Sequence, residues 1–119
     1  MAVVLLTLLT TSLVFADEVC NYYDSNGPQL SARISVNGNE ASIDVRSYVG
    51  HERIAIYQVE VDGVTFGEWD IRGNLIIDEM GSTNVKVTNT DHVFDTQYIT
   101  SRYYFKSNPS VTVWAKTCD

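Results

Sequence analysis

The chain has 119 residues, which is enough for one globular domain and leaves little room for a second. Eight basic and 15 acidic side chains give a formal net charge of −7, which argues against nucleic acid or an anionic membrane surface as the main partner. Hydrophobic residues make up 45% of the chain, beside 7 Gly and 2 Pro. This composition excludes a disordered or collagen-like protein.

The N-terminal run AVVLLTLLTTSLVFA, residues 2–16, is apolar and uncharged, and two acidic residues follow it. It is shorter than the ~20 residues that a membrane-spanning helix needs. Its end, Val14-Phe15-Ala16, fits a signal peptidase cleft. We therefore predict a signal peptide over residues 1–16 and a single secreted domain over residues 17–119. The alternative is a retained anchor.

The two cysteines, Cys20 and Cys118, lie near the two ends of the predicted domain. An export signal implies an oxidising compartment, an even cysteine count leaves no orphan thiol, and no Cys/His spacing indicates zinc. The sequence thus predicts a disulfide between Cys20 and Cys118, which brings the termini together. A disulfide linking two chains is the alternative.

From Gln29 onward, apolar and polar residues alternate between turn signals. This pattern predicts an all-β fold, an immunoglobulin-like antiparallel β-sandwich of about seven or eight strands. A closed barrel is the alternative. Outside two hairpins, strands are predicted at residues 75–78, 84–88, 97–106 and 111–116.

The first predicted hairpin is LSARISV-NG-NEASIDV. With Asn37-Gly38 as a two-residue type I′ turn, Ile34 faces Ala41. One face of the hairpin is then almost entirely apolar and the other polar, so the turn chemistry and the core pattern agree.

The second predicted hairpin is RIAIYQVEV-DG-VTFGEWDI, with Asp62-Gly63 as its turn. Simple pairing would set Tyr57 against Glu68. A bulge at Gly67 brings Trp69 opposite Tyr57 instead and gathers the large apolar side chains on one face. We therefore predict that bulge.

The sequence contains no catalytic signature. His51 and His92 fall in predicted loops without metal-binding spacing, and no G-x-S-x-G motif is present. The adjacent carboxylates Asp78 and Glu79 lie in a predicted turn, where alternation points them apart. We expect a protein without enzymatic activity, cofactor or metal.

Calcium is a weaker interpretation of the loop Asp24-Ser25-Asn26-Gly27, with Asp91 and Asp95 as a second group of oxygen ligands. The same D-x-N-G pattern is good turn chemistry, because Asp and Asn side chains bond to their own backbone. The missing terminal Glu of a calcium loop favours the turn.

The aromatic residues, two Trp, seven Tyr and four Phe, are the main candidates for a binding surface. In a hairpin that sets Lys106 opposite Val111, the rings of Tyr103, Phe105 and Trp114 share one face. If the small side chains of the other face form the core, these rings make an exposed platform that stacks on sugars or anchors a protein. If the rings are the core, no site is implied. The prominence of large rings in small cores favours the second arrangement.

Tyr22 and Tyr23 lie close to Cys20 in the sequence. A disulfide to Cys118 would bring both tyrosines near the last hairpin, which supports the platform. The candidate ligand-binding residues are Tyr103, Phe105, Trp114, Tyr22 and Tyr23.

Our leading hypothesis is a secreted, non-enzymatic binding module that recognises a carbohydrate or an extracellular protein through these aromatic side chains. It predicts no nucleic-acid partner and no membrane contact after signal cleavage. The alternative is an extracellular structural subunit, of a filament or surface coat, that assembles through β-strand edges. A small secreted inhibitor or effector is a further alternative.

Overall fold

The computed structural model describes the backbone and side chains of residues 19–91, 94 and 109–118, and the backbone of residues 96–100 and 103–107. The predicted signal peptide lies outside these ranges. Within them, no helix is long and apolar enough to cross a membrane. The strands are β1 (Cys20–Asp24), β2 (Leu30–Asn37), β3 (Glu40–Ser47), β4 (Ile54–Val61), β5 (Val64–Gly67), β6 (Arg72–Gly73), β7 (Ile76–Ile77), β8 (Ser82–Thr88), β9 (Thr96–Thr100), β10 (Tyr103–Ser107) and β11 (Val111–Cys118).

Antiparallel pairing joins these strands into sheets. The first sheet has the order β1-β11-β4-β5, with β7 paired to the start of β4, and the second has the order β2-β3-β8-β6. β9 and β10 pair only with each other. Buried side chains of the first two sheets meet in one apolar core, so the fold is all-β and sandwich-like. The described chain has more strands than predicted, in part because the span predicted as one strand over 97–106 overlaps two strands, β9 and β10.

The first hairpin, formed by β2 and β3, is confirmed, but its turn lies one residue later than predicted. The central turn residues are Gly38 and Asn39, and of these two only Gly38 has a positive φ, at 65°. A glycine in the first central position is the requirement of a type II′ turn. Ile34 consequently faces Ile43 rather than Ala41. Because the shift is by two residues in the pairing, the apolar face is unchanged.

The second hairpin, formed by β4 and β5, has the predicted turn. Asp62 and Gly63 have φ values of 52° and 88°, as a type I′ turn requires, and Val61 pairs with Val64.

The predicted bulge at Gly67 is wrong, because the irregularity lies in β4 instead. Consecutive residues of β11 pair with Gln58 and Ile56, which leaves Tyr57 as the extra residue between them. An extra residue changes which positions of a strand face inward, so even-numbered residues before Tyr57 and odd-numbered residues after it face the core. These buried side chains are Ile54, Ile56, Val59 and Val61.

The disulfide between Cys20 and Cys118 is confirmed. The two cysteines are cross-strand neighbours in β1 and β11, so the bond fixes an edge strand to the centre of the first sheet. β1 itself was not predicted, because its sequence CNYYD lacks an apolar alternation.

Gly73 allows β6 to lie close against β8. Its φ is 115°, and a Cβ atom at this position would lie 2.6 Å from the backbone oxygen of Asn84.

We expect Gly73→Ala to lower the free energy of unfolding by about 1–3 kcal/mol, measured by chemical denaturation. Gly67→Ala is the matched control, because Gly67 has a negative φ and open space around the added methyl group. Equal stability of the two variants would contradict this account.

Candidate functional site

Trp69 is the most exposed large hydrophobic side chain of the described residues, at 92%. It lies in a 3-10 turn, Glu68–Asp70, that carries the chain from β5 in the first sheet to β6 in the second. Ile71, at the end of this turn, is buried and anchors the crossing. Trp69 therefore forgoes the roughly 1.5–3 kcal/mol that a large apolar side chain gains by burial. Packing gives no reason for a tryptophan at this position.

Trp69 borders a cleft of about 470 Å³ between the edge of β5 and the strands β6 and β8. This volume is within the roughly 300–1,000 Å³ of small-molecule sites. We call it the Trp69 cleft, and its lining combines one large aromatic ring with hydroxyl, amide and charged groups. The lining residues are Thr65, Phe66, Trp69, Asp70, Arg72, Thr88, Asn89 and Thr90.

Arg72 is held in place on one wall of the Trp69 cleft. Its Nη2 atom donates to Oε2 of Glu40 at 3.0 Å and to Oγ1 of Thr88 at 2.7 Å. The guanidinium has five N–H donors, so these bonds leave donors on its other nitrogens for a ligand. The close pairing of Gly73 with β8 fixes the backbone beside Arg72.

The floor of the Trp69 cleft is built from buried groups. Asn89 is buried, its backbone N–H donates to the carbonyl of Asn39 at 2.8 Å, and its Oδ1 accepts the N–H of Asp91 at 3.0 Å. Phe66, which also lines the cleft, is buried, and its ring meets that of buried Phe94 edge to face with the centroids 6.2 Å apart. Two of the lining residues are therefore fixed by packing and hydrogen bonds.

Trp114 and Tyr22, two of the predicted site residues, lie on the outward side of the first sheet. Val113 and Ala115 are fully buried, so the small side chains of β11 form the core and the neighbouring Trp114 points away from it. The prediction that the rings are the core is wrong for Trp114. Tyr22 is 63% exposed, and its ring meets that of Tyr57 edge to face at 6.1 Å. We call this surface the outer tyrosine face.

The predicted hairpin between Lys106 and Val111 is wrong. Both edges of β11 are occupied, one by β1 and the other by β4, and β10 pairs with β9 instead. Tyr103 and Phe105 lie in β10, and their side chains are outside the described part of the chain. Their role in ligand binding stays a prediction.

Tyr23 lies on the opposite side of β1 from Tyr22 and packs against the core. Its hydroxyl donates to Oε1 of Glu52 at 3.1 Å. Burial, and after it the hydrogen bond and negative charge of Glu52, raise the pKa of Tyr23 above its ordinary value of 10.0. The adjacent tyrosines thus differ, since Tyr22 is exposed and Tyr23 is half-buried with its hydroxyl bonded to Glu52.

The raised pKa of Tyr23 predicts a loss of stability in alkali. The folded state favours the neutral phenol, so its contribution is complete below about pH 10 and is lost as the pH rises through the raised pKa. We expect Tyr23→Phe to make the decline of the unfolding free energy above pH 10 shallower, measured by urea denaturation at several pH values. Tyr48→Phe, at an exposed tyrosine, is the control. A Tyr23→Phe profile identical to the wild type would exclude this contribution.

The loop interpreted as a possible calcium site is a hydrogen-bonded turn. Oδ1 of Asp24 accepts the N–H of Asn26 at 2.8 Å, and the Asp24 carbonyl accepts the N–H of Gly27 at 3.1 Å. This is the turn chemistry that the sequence favours. His92 and Asp95 lie outside the described residues. Among those that are described, no three His, Cys, Asp or Glu side chains cluster as metal ligands would.

The Trp69 cleft was missed by sequence reasoning, which placed Trp69 opposite Tyr57 in a strand. One signal against a strand was present in the sequence. Trp69 lies in the stretch Gly67-Glu68-Trp69-Asp70, and its three neighbours are of residue types that are depleted in strands. No protein-family model, curated protein or solved structure matches this chain.

Proposed function

We propose that the protein is a secreted, non-enzymatic binding module that recognises carbohydrate in the Trp69 cleft. The observation that carries this proposal is the 92% exposure of Trp69 beside a cleft lined with hydrogen-bonding groups. A sugar ring has one apolar C–H face and a rim of hydroxyl groups. An exposed indole can stack on the apolar face, while groups beside it bind the hydroxyls.

The polar groups of the Trp69 cleft suit a sugar rim. Asp70 accepts hydrogen bonds from hydroxyls, Arg72 donates them, and the threonine hydroxyls of the lining do both. Arg72 is also preorganised by Glu40 and Thr88, which reduces the entropy lost when a ligand binds.

Binding without catalysis is supported by the lining. A two-carboxylate glycosidase needs acids about 5–9.5 Å apart across the sugar. Of the described lining residues, Asp70 alone is a carboxylate, and nearby Glu40 is engaged by Arg72.

An immunoglobulin-like arrangement of the two main sheets is part of the same proposal, supported by their antiparallel order and shared core.

The test uses tryptophan fluorescence of Trp114→Phe, in which Trp69 is the remaining tryptophan. We expect neutral oligosaccharides found by glycan array to shift its emission to the blue and to protect it from acrylamide quenching. A full array without binding, with quenching of Trp69 unchanged by every glycan, would overturn the proposal. Binding that is lost in Trp114→Phe itself, or in Tyr22→Ala, would transfer the site to the outer tyrosine face.

A second candidate function, assembly through strand edges, is favoured by one observation. β2 is eight residues long and pairs with β3 on one side, and no described strand pairs with its other side. Because a two-residue turn closes the hairpin, the backbone N–H and C=O groups of Ala32, Ile34 and Val36 point towards that open side. Such an edge can pair with a second copy.

Sedimentation and electron microscopy test this candidate. If β2 assembles, the wild type forms oligomers or filaments that Ile34→Lys abolishes, because a charge pointing inward blocks edge pairing. Ser35→Lys, on the polar outward side of the same strand, is the matched control. A monomer at all accessible concentrations would exclude the candidate.

A further inference from the structure

The surroundings of the Trp69 cleft are rich in carboxylates. Trp69 itself stands between Glu68 and Asp70, all three of them exposed. Glu40 accepts a hydrogen bond from Arg72 of the lining, and exposed Asp91 follows the lining residue Thr90 in the chain. The cleft also belongs to a chain with a formal net charge of −7.

Two cations of the described residues, Arg72 and Lys86, lie at this end of the sandwich, and each already has a polar partner. Nη2 of Arg72 forms an ion pair with Glu40 at 3.0 Å. Lys86 is the cross-strand neighbour of Arg72, but its Nζ donates to Oδ1 of Asn84 at 3.1 Å. Nδ2 of Asn84 in turn donates to Oδ1 of Asp44 at 2.7 Å, and Asp44 does not line the cleft. A negative ligand could still accept from the other nitrogens of Arg72, but Glu40 already neutralises part of the positive charge there.

We infer that the Trp69 cleft takes uncharged sugars and discriminates against glycans that carry carboxylate or sulfate groups. This inference rests on the proposed function and adds the ligand class to it.

Two physical effects act in the same direction. Like charges repel, and the repulsion is stronger near a protein surface than in bulk water. In addition, an ionised carboxylate such as that of Asp70 only accepts hydrogen bonds. It pairs with the hydroxyls of a neutral sugar, whereas an acidic sugar would set one acceptor against another.

The experiment compares glycans that share a backbone and differ in charge, with the intact protein. The pairs are hydroxyethyl cellulose with carboxymethyl cellulose, and methyl-esterified with de-esterified polygalacturonan, measured by affinity electrophoresis and calorimetry. In any pair that binds, we expect the neutral member to bind at least tenfold more tightly at 20 mM salt. The gap should narrow at 500 mM salt, because salt screens exposed charges.

The variants Glu40→Gln and Glu68→Gln test whether carboxylates near the cleft cause the discrimination against anionic glycans. Glu40→Gln removes the negative charge paired with Arg72, so we expect the ratio of neutral to anionic affinity to fall at least threefold. We expect a smaller fall for Glu68→Gln, because Glu68 has no described ion pair with Arg72. Glu79→Gln, at an exposed glutamate in the turn between β7 and β8, is the control and should leave the ratio unchanged.

The outcomes separate the two proposals. An anionic member that binds as tightly as its neutral partner would overturn the charge discrimination and leave carbohydrate binding intact. If neither these pairs nor the glycan array give binding, carbohydrate recognition itself is overturned, and the inference with it. If the ratio of neutral to anionic affinity falls equally in Glu79→Gln, the discrimination comes from net charge, and the role of the cleft carboxylates is overturned.

Discussion

Replacing Trp69 with alanine is expected to weaken sugar binding at least tenfold, which corresponds to about 1.4 kcal/mol. Large aromatic anchors carry much of the energy of a binding surface, and Trp69 is the main apolar surface that the cleft offers to a ligand. Because its side chain is 92% exposed, truncation leaves no cavity. We expect the midpoint of thermal unfolding to move by less than about 4 °C.

Isothermal titration and thermal melts of the same samples check this prediction. Tyr22→Ala is the matched control, because Tyr22 is also a large exposed ring and lies on the outer tyrosine face. Trp69→Phe should retain part of the affinity, since a smaller ring still stacks. Full affinity in Trp69→Ala would exclude stacking on this residue, and a large drop in melting temperature would indicate that Trp69 supports the fold.

Removing the disulfide should have the largest effect on stability. The bond closes a loop with a sequence separation of 98. In the chain-entropy model, a loop of about 100 residues corresponds to about 4.7 kcal/mol. For a domain of this size, we expect the paired substitution Cys20→Ser and Cys118→Ser to lower the melting temperature by about 20 °C or more.

Calorimetry of the double variant, beside the wild type with and without reductant, measures this loss. Reduced wild type should melt close to the double variant, which distinguishes loss of the bond from damage by the serines. A melting temperature within a few degrees of the oxidised protein would show that the bond contributes little to stability.

The local parts of the fold were predictable from the sequence. Both hairpins are present and the second has the predicted turn, because a two-residue turn with glycine and an alternating pattern act over short distances. The first turn was misplaced by one residue because Gly38 fits either central position. Both choices keep the apolar face inward, so the core pattern did not distinguish them.

Of the non-local features, the disulfide was predictable from the cysteine count, but the bulge and the position of Trp69 were not. The bulge at Tyr57 is defined by pairing with β11, which is distant in the sequence, so the alternation within the hairpin could not locate it. The predicted bulge at Gly67 places Trp69 opposite Tyr57, because that pairing gathers the large apolar side chains of the hairpin on one face. The actual position of Trp69 depends on where β5 ends and where the chain crosses to the other sheet, and tertiary packing decides both.

The crossing from β5 to β6 makes the Trp69 cleft a composite of both layers. Thr65 and Phe66 come from the first sheet, and Arg72 and Thr88 from the second. The cleft therefore exists only while the layers are packed together, and a bound ligand joins them. By mass action, a ligand that binds only the folded state at one hundred times its Kd adds about 2.7 kcal/mol to the unfolding free energy. A saturating glycan would thus act as a second, reversible link across the fold, beside the permanent one between Cys20 and Cys118.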